Sequence, residues 1–248
     1  MTKILDCTLR DGGHVNNWNF TDECILDTLK VCEESQVDFF EVGYSVPSCV
    51  EKCSKKLVVM VDAKNICDIS EKADMIRVAC YPNQINIGIK AVEDYKKQGF
   101  GVFLHLMTAD KFEDYNLLKN WANKDILESI YFADSFGSFM PSDVEKIYNK
   151  LMDCGFENIS FHAHNNLQLA FTNTIKAIEL GAYSVDATIF GIGRGGGNLP
   201  LELLLKYFDK DNEKYLELIQ KYYLDLQKKY NWGYNFEALV TGLKNIHP

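Results

Sequence analysis

The chain has 248 residues, 47% of them hydrophobic, which suits one large domain that buries its core without disulfide staples. A net charge of -9 argues against general binding to nucleic acid or anionic membranes, though it leaves room for a local basic pocket. The eight cysteines are scattered with no C-x-x-C pair, no basic and apolar leader opens the chain, and no apolar run approaches the ~18 residues that span a bilayer. Together these features predict a cytoplasmic protein with reduced, mostly structural thiols.

Eight β-like runs recur along the chain: Ile4 to Leu9, Phe39 to Tyr44, Leu57 to Asp62, Met75 to Cys80, Gly101 to Met107, Ser129 to Ala133, Ile159 to His164 and Val185 to Phe190. Apolar residues at helical spacing fill most intervals, at Asp22 to Glu34, Ile85 to Lys97, Phe112 to Trp121, Val144 to Met152 and Leu167 to Leu180. The intervals 45–56 and 64–72 have room only for short helices. Strands that alternate with helices predict a parallel sheet, and eight such units predict an α/β fold of the (β/α)8 TIM-barrel type rather than an open doubly wound sheet. The barrel is expected over residues 1–210. A charged, aromatic-rich helical extension follows over 211–248, and its end at Pro248 after an apolar stretch suggests a chain that continues.

In such a barrel the chemistry lies at the C-terminal ends of the strands and in the loops that follow. After the first strand, Arg10, Asp11 and His14 offer an anion clamp, a carboxylate ligand and a possible base, and Gly12 and Gly13 permit a tight turn. The same residues also suit a plain Arg–Asp ion pair. Glu41 lies in an apolar run, where a carboxylate needs a partner; a salt bridge to Arg10 across neighbouring strands and a direct role in the site both suit it. His105 reads as a satisfied core histidine. Asp134 is expected to support a ligand or a neighbouring loop, and Ser135 to form a turn or to donate to a substrate carboxylate.

The strongest signal is Ser160 to Asn166, read as S-F-H-A-H-N-N. On a strand, His162 and His164 point the same way, as half of a site for a divalent ion. The loop after the eighth strand holds five glycines in residues 191–197, with Gly193 among those expected to let the backbone approach a ligand. It lacks the G-K-[ST] ending of a nucleotide P-loop. Closure of the barrel would bring Asp11 and Asn198 to the two histidines, giving a carboxylate, two imidazoles and an amide oxygen around one mouth.

T-L-R-D-G near the N-terminus, H-A-H-N on the seventh strand and G-x-G-R-x-x-G-N-x-x-x-E after the eighth resemble the DRE-TIM metallolyase superfamily. That group includes 3-hydroxy-3-methylglutaryl-CoA lyase, the isopropylmalate and homocitrate synthases and 4-hydroxy-2-oxovalerate aldolase. Gly13-His14 after R-D-G looks like the aldolase branch. The resemblance implies Asp11, His162 and His164 as ligands of Mn2+ or Mg2+, with Asn198 a ligand or near-ligand. It implies Arg10 as the residue that holds substrate and stabilises an enolate, His14 as general base, and Ser135 as a contact to the pyruvate carboxylate. The expected activity is cleavage or formation of a 4-hydroxy-2-oxo acid from pyruvate and an aldehyde. The resemblance also suggests a homo-oligomer and, in the aldolases, an aldehyde dehydrogenase partner. Two departures stand out: no cysteine in the glycine-rich loop, where the lyases carry one, and too short a C-terminal region to show a complete docking element. A CoA-dependent condensing enzyme of the synthase branch and a non-catalytic barrel in an assembly are the alternative readings.

Overall fold

In the computed structural model, which describes residues 1–51 and 53–246, eight parallel strands form a closed barrel. They are β1 (Lys3–Asp6), β2 (Phe39–Gly43), β3 (Lys56–Asp62), β4 (Met75–Cys80), β5 (Gly101–Leu106), β6 (Ser129–Asp134), β7 (Ile159–Ala163) and β8 (Ser184–Ala187). Each pairs with its sequence neighbour, and β8 closes on β1 from Lys3↔Ser184 to Asp6↔Ala187. Around and between them run α1 (Thr8–Asp11), α2 (Gly13–Asn16), α3 (Asp22–Glu34), α4 (Ile85–Lys97), α5 (Asn116–Lys119), α6 (Pro141–Asp153), α7 (Ala170–Glu179), α8 (Leu201–Tyr207), α9 (Glu213–Leu218), α10 (Leu224–Tyr230) and α11 (Phe236–Lys244). Among the described residues no helix is long and apolar enough to cross a membrane.

The α/β TIM barrel expected from the sequence is therefore the fold. Helix α3 illustrates why the pattern was readable. Thr21 caps it by accepting from Cys24 N, acidic Asp22 and Glu23 occupy the first turn, and Cys24, Ile25, Thr28, Leu29 and Cys32 line its buried face.

Alternation along the strands stacks the barrel interior in layers. The lower layer is apolar, with Leu5, Phe39, Val58, Met75, Phe103 and Tyr131 packed together. Two residues further along their strands stand Glu41, Arg77 and His105, joined by His162 and Asp186. The inward face thus turns from hydrocarbon to charge as it nears the C-terminal end.

Several expected elements differ. The first strand ends at Asp6, not Leu9, because Asp6 Oδ1 accepts from Thr8 N at 2.8 Å and turns the chain into α1. The eighth ends at Ala187, and Ile189–Gly191 forms a 3-10 turn. The helix expected over Phe112 to Trp121 contracts to α5; Phe112, Leu118 and Trp121 are all buried, but only Leu118 lies within that helix. The helix expected from Leu167 starts at Ala170, because Asn165–Gln168 form a turn in which Gln168 has φ 62°. The described residues of 45–56 and 64–72 hold no helix. Gly12 and Gly13 make no left-handed turn; both lie in helical backbone, and a Cβ on Gly13 would sit 2.2 Å from the Trp18 ring.

Residues after 210 pack on two sides of the barrel. Tyr215 and Tyr223 donate or accept through their hydroxyls to Ser35 and Thr28, on the outer wall. Helix α11 instead reaches the C-terminal end, where Asn166 Nδ2 donates to Thr241 Oγ1 and Asn245 Nδ2 to Asp110 Oδ2.

Candidate metal centre and active site

Asp11 leaves α1 directly above the strand ends, and His162 and His164 come from β7 and the residue that follows it. Their donor atoms converge. His162 Nε2 lies 3.3 Å from His164 Nε2 and 3.9 Å from Asp11 Oδ2, and His164 Nε2 lies 3.8 Å from the same oxygen. The sequence expectation that one inward face carries both histidines and meets Asp11 across the barrel closure is met.

Each donor is held from behind. His162 Nδ1 donates to Asp186 Oδ2 at 2.8 Å, which leaves the Nε2 lone pair facing the mouth. Asp186 in turn accepts from Arg77 Nη2, and Arg77 also lies 3.5 Å from Glu41 Oε1. Glu41 Oε2 accepts from Arg10 Nε at 2.6 Å, as the apolar run around it predicted, and Arg10 Nη1 donates to Asp11 Oδ1 at 2.5 Å. A continuous chain of buried charge therefore runs Asp11, Arg10, Glu41, Arg77, Asp186, His162. Three carboxylates face two guanidiniums, a surplus of one negative charge that a bound cation would offset.

The same environment sets the protonation states. Burial raises the cost of ionising Asp11, but Arg10 and the neighbouring histidines outweigh it and hold the carboxyl well below its ordinary range. Burial, with smaller pushes from His162, Arg194 and Arg10, lowers His164 to about 3 despite the opposing charge of Asp11. Both are in the forms that bind a metal ion. His105, the expected core histidine, is buried. Its Nδ1 accepts from Arg77 Nε at 3.0 Å, so burial and that guanidinium keep the ring neutral.

Asn198 Nδ2 donates to Asp11 Oδ2 at 2.6 Å and to Ile192 O at 2.8 Å. Its Oδ1 is buried and has no hydrogen-bond partner, and neither has Arg10 Nη2. Two such orphans beside three converging donors suit a site that takes a cation and an oxygen-bearing ligand. Gly193 lets Asn198 come this close, since a Cβ there would lie 2.3 Å from Asn198 Nδ2. Gly197, at φ +77°, turns the loop back in a conformation that L side chains rarely adopt.

A second group, Cys7, His162 and Asp186, also converges. Burial pushes the Cys7 thiol well up, and Asp186 is already occupied by Arg77 and His162. Asp11, His162 and His164 are therefore the better candidates to hold a divalent ion.

His14 stands beside this cluster on α2, with its ring against Trp18 (4.7 Å between centroids) and Tyr44 (6.1 Å). Burial lowers it to about 4, helped by Arg10 and Arg194 and opposed by Asp11. Ser135 Oγ accepts from Thr108 N at 2.8 Å and ties the ends of β5 and β6, with its proton left to donate. Asp134 supports the loop after β6, accepting from Ser138 N and Phe139 N.

The HMGL-like family model matches residues 89–228, more than half of the chain. The chain belongs to the HMGL-like family. This HMGL-like chain is 26% identical over 241 residues to a 4-hydroxy-2-oxovalerate aldolase of Bacillus cereus, covering 84% of this chain and 70% of that one. It is 24% identical over 229 residues to an oxaloacetate decarboxylase of Mycobacterium tuberculosis, covering 82% and 68%. Among solved structures, the N-terminal domain of a candidate aldolase from Bacteroides vulgatus superposes with a TM-score of 0.89 at 32% identity, covering 98% of this chain and 93% of that one. At the level of its family the HMGL-like chain is a metal-dependent carbon–carbon lyase, and a group able to hold the ion is present.

Sequence reasoning did not single out Arg77 or Asp186. The signal was there: an arginine inside Met75-Ile76-Arg77-Val78-Ala79-Cys80 and an aspartate inside Ser184-Val185-Asp186-Ala187 are charges at inward strand positions, which demand partners.

Proposed function

We propose that this protein is a divalent-metal-dependent aldolase that cleaves or forms a 4-hydroxy-2-oxo acid, with pyruvate and an aldehyde as the other pair. The observation that carries this reading is the free, buried Nη2 of Arg10, one atom removed from the nitrogen that grips Asp11. A fixed guanidinium donor next to a metal-binding carboxylate is suited to a 2-oxo acid, whose carbonyl gains negative charge on reaction.

In this reading Asp11, His162 and His164 hold Mn2+ or Mg2+, and Asn198 restrains Asp11 while its own oxygen stays available. When bound, the ion supplies Lewis-acid polarisation of the 2-oxo group. Arg10 donates through Nη2 to the oxygen that becomes the enolate. Ser135 donates to the substrate carboxylate. His14, neutral at physiological pH, accepts the proton of the C4 hydroxyl. The C3–C4 bond then breaks, its electron pair moves towards the C2 oxygen, and the aldehyde leaves. Protonation at C3 of the enolate completes pyruvate. Gly193 serves the site through the approach of Asn198. The similarity to named aldolases supports the same reaction class, and the enolate step is shared with a 2-oxo acid decarboxylase.

Incubation with pyruvate in heavy water tests the reading. The methyl protons should exchange, as followed by NMR, only with metal present. His162→Ala and His164→Ala should lose metal and exchange together. Full exchange in metal-free protein, or none in the metal-loaded one, would overturn it.

A further inference from the structure

Of the chain's 26 basic residues, three are arginines: Arg10, Arg77 and Arg194. Lysine serves everywhere else, and all three arginines belong to the barrel interior or its mouth. That distribution is informative, because a guanidinium matches a carboxylate or phosphate in two places at once where an ammonium acts as a point charge. Arg10 and Arg77 are paired with Asp11, Glu41, Asp186 and His105, with Nη2 of Arg10 left free beside Asp11. The side chain of Arg194 has no hydrogen bond or ion pair among the described residues.

Arg194, exposed in the loop after β8 between Gly193 and Gly195, lines a cleft of about 950 Å3. Val15, Trp232, Phe236 and Val240 form much of the apolar wall. One end of the cleft begins at Val15, the residue after His14, and at Gly193, which packs on Asn198. The other end is closed by α11. Arg194 thus shares one cleft wall with the neighbour in sequence of the proposed base and with the glycine that packs on Asn198. Glu237 is the one carboxylate among the lining residues, and it forms no ion pair with Arg194.

The volume lies near the top of the ~300–1,000 Å3 range of pockets that enclose whole drug-sized molecules. A two-carbon aldehyde would leave most of it empty. The cleft instead suits a longer chain with an apolar middle and one negative end.

We infer that Arg194 and this cleft form a subsite for a carboxylate or phosphate carried by the aldehyde half of the substrate. Which half lies there rests on the aldolase reading; the anion site itself does not.

Two measurements test it. Titration calorimetry with the unreactive probes glycerol 3-phosphate and glutarate should give saturable binding to the metal-loaded protein. Binding should weaken roughly ten- to hundredfold in Arg194→Gln and less in Arg194→Lys; the two probes distinguish phosphate from carboxylate. With pyruvate as donor, glyceraldehyde 3-phosphate or succinic semialdehyde should be preferred to butyraldehyde in kcat/KM, and Arg194→Gln should collapse that ratio. Failure of both probes to bind, equal binding by the variant, or an unchanged ratio would overturn the subsite and leave the cleft as a surface for a protein chain. Arg194-dependent probe binding without pyruvate exchange would retain the subsite and reject the aldolase reading. Exchange without any anion preference would do the reverse.

Discussion

His162 Nδ1 donates to Asp186 Oδ2 at 2.8 Å, and this bond decides which face of the imidazole meets the mouth. With Nδ1 committed, the lone pair of Nε2 is the one that faces His164 and Asp11. Arg77 donates to the same oxygen of Asp186, so the orientation of a mouth residue on β7 is set in part by an arginine on β4, three strands away.

Asp186→Asn should therefore weaken Mn2+ binding by about 10- to 100-fold while the barrel stays folded. Calorimetric titration and circular dichroism read the two effects separately. Unchanged affinity would mean that His162 is oriented by packing alone.

His14→Ala should slow aldol cleavage more than pyruvate proton exchange, because its proposed partner is the C4 hydroxyl. Since burial places the ring near about 4, the neutral form dominates across the neutral range. The cleavage rate should show no fall between about pH 8 and pH 5 that traces to this residue, where an ordinary histidine would begin to protonate near 6.5. A rate that halves near pH 6.5 and loses that dependence in His14→Ala would contradict the placement.

Gly193→Ala puts a methyl group 2.3 Å from Asn198 Nδ2. Asn198 must move, and its bond to Asp11 Oδ2 should go with it. The expected result is weaker metal binding together with a stability loss of about 1–3 kcal/mol, the usual cost of overpacking. Thermal melts with and without metal would separate the two; no change in either would show that the loop simply shifts.

Asp6 gives the fold a pH dependence outside the cluster. It is buried; Oδ1 accepts from Thr8 N and Thr8 Oγ1, while Oδ2 has no partner. Burial pushes its carboxyl from 3.8 to about 6, against the pull of those hydrogen bonds. Between these values the native state keeps a proton that the unfolded chain has released. Stability from this group is thus complete below about pH 4 and falls as pH rises to about 6, a loss of about 3 kcal/mol. Asp6→Asn keeps the oxygen acceptor and removes the titration, so its denaturation midpoint should fall less over the same range. Parallel pH curves for the two proteins would refute the shift.

Much of this was legible in local pattern. Asp22–Glu34 and Ile85–Lys97 are helices over the residues their spacing predicted, because an amphipathic face is a property of neighbours a few positions apart. His162 and His164 share a face for the same reason on a strand. Glu41 announced its need for Arg10, since a carboxylate in an apolar run has few alternatives. The helix expected over Phe112 to Trp121 failed where apolar residues are buried one by one by distant neighbours, which spacing alone does not distinguish from a helical face.

By itself, the sequence determined the eightfold strand–helix alternation, the inward pair of histidines and the residues that would gather where strands end, because each is encoded within about ten positions. Only the tertiary structure decided that Asp186 stands behind His162, that Arg77 joins it to Glu41, that Asn198 grips Asp11 and that α11 walls a cleft around Arg194. Those contacts join residues up to 187 positions apart, and they depend on barrel closure and strand register, which no local pattern of side chains specifies.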